Sequence, residues 1–212
     1  MSASGGKTWW GRYRTTLLLV AAAVVIEVLP GAAGVLEYDR AALGRGEWWR
    51  VLTCHWTHFS VDHFLWDVAV LGLLGALCEE RSRRRVVACV VGAAVGIPAA
   101  VWVALPGMAR YRGLSGIDAA LFALLAVLIG REGVRAREWR WAGFAAAGMA
   151  AFAAKMGFEL VRGSTVFVAG GEAAMIPVPL AHLVGAAMGV AVGLWPVRRP
   201  SGAVPAVGAG AA

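Results

Sequence analysis

Long apolar stretches alternate along this chain with short polar ones rich in arginine. Six apolar blocks run roughly over residues 15–35, 59–77, 86–105, 114–129, 141–160 and 175–195. Several approach the ~20 residues that a helix needs to cross a bilayer. Backbone in lipid must satisfy its own hydrogen bonds, so such blocks predict helices. The expected fold is all-α: a polytopic membrane protein with six transmembrane helices bundled over residues 15–197. A cytoplasmic segment, 1–14, precedes the bundle, and a disordered cytoplasmic tail, 198–212, follows it. The Gly/Ala/Pro-rich, uncharged composition of that tail is typical of a loose end. A basic stretch before an apolar block also fits a signal peptide. Glu27 inside the block and the charge pattern of the later loops favour an uncleaved first span.

Composition agrees with lipid as the solvent. Hydrophobic residues make up 59% and charged ones 16%, against about 25% charged in an ordinary soluble domain. The net charge of +7 raises nucleic acid as a partner, but its distribution argues against one. Lys7, Arg12 and Arg14 precede the first block. Arg81, Arg83, Arg84 and Arg85 follow the second, Arg131, Arg135, Arg137 and Arg140 the fourth, and Arg198 and Arg199 the sixth. The intervening loops carry fewer. This alternation predicts that both termini face the cytoplasm, whereas a nucleic-acid face would gather the charge on one surface. Trp9, Trp10, Trp48, Trp49, Trp139, Trp141 and Trp195 fall near block ends, as interfacial aromatics do. Cys54, Cys78 and Cys89 have no metal spacing and no disulfide framework, and are read as inert thiols.

Ionisable groups inside apolar blocks are costly, and each is a candidate for function. They are Glu27, His63, Asp67, Asp118, Lys155, Glu159 and His182. The fourth block opens with Gly113-Leu114-Ser115-Gly116. In the expected topology Ser115 stands at the outer N-terminus of its helix, where unpaired N–H groups and a positive dipole potential favour a developing oxyanion. The flanking glycines permit a tight turn and the close approach of a substrate backbone. Taken alone, Ser115 is equally a helix cap. The sixth block adds His182, followed by Gly185, Gly189 and Gly193. Small residues four apart let helices touch, and the fourth block offers its own stripe, Ser115, Ala119 and Ala123. Packing the two stripes together brings a nucleophile within reach of a base.

The second block places His63 and Asp67 four apart on one helical face. A histidine N–H there could serve an oxyanion, whereas an ionised aspartate has no donor. His58, His63, Asp67 and His182 also read as zinc ligands by residue type, but the metalloprotease pattern His-Glu-x-x-His is missing. No metal and no cofactor is expected. Lys155 and Glu159, four apart in the fifth block, read most simply as an ion pair.

With these motifs in place, the chain resembles the rhomboid family of intramembrane proteases. The resemblance rests on Gly113, Leu114, Ser115 and Gly116 opening the fourth span, and on Ala181, His182, Gly185 and Gly189 in the sixth. It also rests on Trp49 and Arg50 after the first span, His58 and His63 opening the second, and Glu79 and Arg81 ending it. The resemblance implies a serine endopeptidase with Ser115 as nucleophile and His182 as base. His63 and the Ser115 N–H would be oxyanion donors, with Asp67 and Gly113 in support. The implied partners are a transmembrane protein substrate and the lipid bilayer, and the implied place is a bacterial inner membrane with the site toward its outer face. The family commonly has Asn at the Asp67 position and often an aromatic where this chain has Ala119. Asp67, the arginine before Gly113 and the Lys155/Glu159 pair resemble the rhombosortase branch, thought to process C-terminal sorting tags. The alternative is a pseudoprotease that binds transmembrane clients without cutting.

Overall fold

The computed structural model describes residues 8–162 and 179–196. The tail, the start of the sixth block and the first half of segment 1–14 lie outside the described residues. Eight α-helices and a two-stranded ribbon make up the described fold: α1 (Trp9–Val28), α2 (Ala32–Leu36), β1 (Tyr38–Asp39), α3 (Arg40–Gly44), α4 (Arg50–Thr53), α5 (Val61–Ala104), β2 (Arg110–Tyr111), α6 (Ser115–Ala136), α7 (Trp139–Arg162) and α8 (Pro179–Leu194). A 3-10 turn, Cys54–Trp56, links α4 to the loop before α5.

Each apolar block falls on a helix, but the bounds shift for local reasons. Thr8 caps α1 by accepting from the Gly11 N–H, so the helix begins ahead of the expected residue 15. It stops at Val28, short of 35, because Pro30 follows and the residue before a proline avoids helical geometry. Blocks two and three share α5. A straight 44-residue helix would run about 66 Å. Yet Arg112, just past its end, donates to the His58 carbonyl just before its start at 3.1 Å. The helix must therefore double back, and it does so at Ser82, whose φ of −165° and ψ of 99° break it. The expected arginine-rich loop is thus pared down to a sharp reversal.

Among the described residues, α5 and α7 are long and apolar enough to cross a membrane. The apolar α8 has 16 residues. Many large apolar side chains point outward, among them Leu18, Leu73, Val103, Phe144 and Val161, although the interior is itself apolar, built on Leu71, Ile97, Ile117 and Leu121. An apolar exterior around an apolar core suits lipid surroundings.

Residues 29–60 form a compact cap. Arg50 is its hub: it donates to the carbonyls of Gly34 at 3.0 Å and Glu37 at 2.9 Å and pairs with Glu47 at 2.7 Å. Its planar fork reaches all three. β1 pairs antiparallel with β2, and Arg40 accepts the role of end-cap for α5 by donating to Val101, Trp102 and Leu105 carbonyls. At the opposite end the arginine clusters converge. Arg83 reaches the Gly11 carbonyl, Arg85 that of Trp195 and Arg131 that of Gly193. On Gly193 and Trp195, at the C-terminal end of α8, such cationic groups are favourable. Glu79 is clamped between Arg83 and the N–H groups of Thr15 and Thr16, which fastens α1 to α5.

Candidate active site

The serine helix begins with its main chain under tight control. Gly113 has φ of +118°, a conformation glycine adopts without penalty. A Cβ there would also stand 2.8 Å from the His63 ring, so nothing larger fits. The next N–H, of Leu114, donates to Asp67 Oδ2 at 2.8 Å. Asp118 N–H then closes the first helical turn onto the Leu114 carbonyl. Between these, the N–H groups of Ser115, Gly116 and Ile117 are the orphan donors of a helix start.

Asp67 is the centre of a buried polar chain. His63 Nε2 lies 3.2 Å from its Oδ2 and His58 Nε2 lies 3.6 Å away. On its far side, His58 Nδ1 faces Glu27 Oε2 at 3.4 Å. The histidine rings meet edge to face. The sequence singled out all four residues, but not this order, which depends on α1, the cap and α5 coming together. Asp118, fully enclosed, is near enough to Asp67 for the two carboxyls to interact.

The helix that carries His182, α8, approaches through glycine. A Cβ on Gly185 would collide with the Gly116 carbonyl, and one on Gly189 with that of Ala120. Ala181 O lies 3.2 Å from where a Gly116 Cβ would stand. The contact stripe on α6 is therefore Gly116, Ala120 and Leu124, one residue on from the expected Ser115, Ala119 and Ala123. On α8 it is Ala181, Gly185 and Gly189. One residue turns a helix by about 100°. Ser115 and His182 accordingly flank the seam, each half-buried beside the residue that makes the contact. The physical reason is that backbones touch only where side chains are missing, so reactive groups must sit beside that line. Ser115 and His182 make no hydrogen bond to each other; their neighbours hold the helices together.

His182 Nδ1 instead faces Glu159 Oε2 of α7 at 3.7 Å. Glu159 also pairs with Lys155 at 2.7 Å. The ion pair expected from the four-residue spacing is present, and its contact with His182 was not legible in the spacing. Among the described residues no three His, Cys, Asp or Glu side chains gather with metal-ligand geometry, so the zinc set of His58, His63, Asp67 and His182 is not assembled. Cys54, Cys78 and Cys89 are buried and free.

In the cap, outside the spanning segments, His55 is fully enclosed and bonds the Ala94 carbonyl through Nε2 at 3.1 Å. Burial pushes its pKa down to about 4. Its ring lies edge-on to Tyr111, whose hydroxyl donates to Gly113 O at 3.4 Å. Burial raises the Tyr111 pKa well above the ordinary value.

The family model for the rhomboid domain matches residues 45–199. This chain belongs to the rhomboid family. The matched region includes the hub arginine of the cap, the buried chain around Asp67, and the α6–α8 seam, so the rhomboid assignment covers every part of the candidate site except Glu27. No curated protein matches the sequence. Membership of this family, together with the apolar helices, makes the chain an integral membrane protein.

Proposed function

We propose that this rhomboid is an intramembrane serine endopeptidase with Ser115 as nucleophile and His182 as base. Its substrates are membrane-anchored proteins cut near the outer leaflet, in a six-span bundle with both termini cytoplasmic. The observation that carries this reading is the glycine seam of Gly185 and Gly189 on Gly116 and Ala120, which sets His182 beside the start of the serine helix.

The chemistry follows from the groups present. Ser115 Oγ adds to the scissile carbonyl carbon while its proton passes to His182 Nε2. The carbonyl oxygen becomes an oxyanion facing the Ser115 N–H and His63, donors of a kind worth several kcal/mol in such sites. Collapse breaks the C–N bond, and His182 hands its proton to the departing amine. Water then attacks the Ser115 ester, its proton going to His182 and back to Ser115 Oγ as the acid leaves. Hydrogen bonds between nucleophile and base are often long before substrate binds and tighten afterwards. The Gly113 turn is pressed on His63, which keeps that histidine close to the start of the serine helix. Sorting tags with small residues before a membrane helix are the substrate class implied by the resemblance of Asp67, Arg112 and the Lys155/Glu159 pair to the rhombosortase branch.

The test is labelling with a fluorescent fluorophosphonate in detergent, alongside cleavage of a test protein carrying one membrane span. Wild type should be labelled and should cut, while Ser115→Ala and His182→Ala should do neither at undiminished expression. Cleavage surviving Ser115→Ala overturns the reading. A wild type that binds the span but neither labels nor cuts makes the chain a pseudoprotease.

A further inference from the structure

The base faces one further ionisable group besides Ser115. Glu159 is carried by α7, which packs mainly on α6 and touches α8 only lightly, yet one of its few approaches to α8 is to His182. Glu159 is 2% exposed, and a carboxylate so deep is costly unless compensated. Lys155 compensates it through Oε1 at 2.7 Å. That ion pair needs one oxygen only. The other, Oε2, is turned to His182 Nδ1 at 3.7 Å. Nδ1 is buried and has no hydrogen-bond partner among the described residues. An approach of about 0.8 Å brings the pair into hydrogen-bonding range, and catalytic hydrogen bonds are commonly loose before substrate binds.

We infer that Glu159 is a positioning residue for His182, making the site a Ser115–His182–Glu159 triad with Lys155 holding the carboxylate. This rests on the reading of Ser115 and His182 given above. With the Nδ1 hydrogen directed at Glu159, the ring is fixed in the tautomer whose lone pair is on Nε2, the nitrogen left for Ser115. When Nε2 takes the serine proton, the carboxylate steadies the imidazolium. The other titratable groups of the site lie elsewhere: His58, His63 and Asp67 cluster together, and Asp118 of α6 interacts with Asp67. The charged groups of α7 near the base are thus Glu159 and Lys155. The small Ala119, buried one turn beyond Ser115, adds no aromatic ring to hold the imidazole, which leaves that task to the carboxylate.

The experiment uses the full chain in detergent micelles and four variants: Glu159→Gln, Glu159→Asp, the double variant Glu159→Gln/Lys155→Met, and Ser115→Ala. The probe is a fluorescent fluorophosphonate. Ser115 Oγ forms a bond to phosphorus, fluoride leaves, and the serine proton passes through His182 to solvent. Labelling rates are followed from pH 5.5 to 9, with kcat and KM for the single-span test protein and unfolding temperatures for each variant. Glu159→Gln should lower the labelling rate and kcat roughly 100-fold, with KM little changed. Its acid limb should move, because the carboxylate that faces Nδ1 is gone. Glu159→Asp should recover part of the rate. The double variant, free of an uncompensated lysine, should unfold near the wild-type temperature and still show the slow rate and shifted limb. A wild-type rate and an unmoved acid limb in the double variant would overturn the triad and leave Glu159 as the counter-ion of Lys155. So would a slow rate explained by a smaller folded fraction with the limb unmoved. Ser115→Ala separates the two readings: if it still cuts, the proposed function falls whatever Glu159 does, and if it is dead, the Glu159 variants alone decide the triad.

Discussion

The Leu114 N–H and Asp67 Oδ2 meet at 2.8 Å, and this bond ties the residue before Ser115 to the helix that carries His63. Asp67 Oδ2 accepts from the Leu114 N–H and faces His63 Nε2 at 3.2 Å. Asp67→Asn keeps an acceptor oxygen for Leu114, so the protein should fold, but the charge facing His63 is lost and labelling by fluorophosphonate should fall roughly tenfold. Asp67→Ala strands a buried N–H, at a cost of about 1–3 kcal/mol, and should lower the unfolding temperature as well. Both are read from labelling rates and thermal unfolding in detergent. Full activity in Asp67→Asn would show that the charge is not used.

The glycine seam makes a sharper demand. Gly185→Ala pushes a methyl into the Gly116 carbonyl, and Gly189→Ala pushes one into that of Ala120. Neither backbone can yield without parting α6 from α8. Each substitution should cut labelling at least ~30-fold, as loss of close positioning does, with a lower unfolding temperature. Gly157→Ala meets nothing within 4 Å and should behave as wild type in the same assays.

Orientation in the membrane can be read by cysteine labelling of sealed cells. Gly107→Cys, in the exposed turn between α5 and β2, should react with an impermeant maleimide from outside. Ser82→Cys, at the reversal among the arginines, should react only after the membrane is opened. The native thiols are all buried, so background should be low. The reverse pattern would put the Ser115 end of the bundle in the cytoplasm.

Acid should loosen the cap through His55. Its pKa is pushed down to about 4 by burial, from an ordinary 6.5. Between those values the unfolded chain binds a proton that the folded one refuses. The stability contributed by neutral His55 is therefore fully present above pH 6.5 and is lost as pH falls toward 4. Unfolding temperatures at pH 7.5 and 4.5 should show a larger acid drop for wild type than for His55→Gln, whose amide can still donate to Ala94. Equal drops would assign the acid lability to other groups.

Much of this protein follows from one-dimensional pattern. Apolar blocks longer than a turn or two leave the backbone no choice but to bond within itself, so the helices were legible, as was the break at the arginines around Ser82, whereas the stop before Pro30 falls inside the block expected over residues 15–35. The buried ionisable residues His63, Asp67, Glu159 and His182 were legible too, because an ionisable group inside an apolar block stands out on cost alone. What the chain could not announce is which side of a helix meets which neighbour. The α6 stripe was expected at Ser115, Ala119 and Ala123 and lies one residue on, since close approach is decided by which carbonyls two helices present to each other. Likewise Glu27 reaches His58, and Glu159 reaches His182, across gaps in sequence that spacing rules do not span. Those pairings depend on how the cap and α7 pack, and packing is a sum of many weak contacts over the whole bundle. Helix period and lipid fix the parts, and only the three-dimensional seam between them decides which buried charges meet.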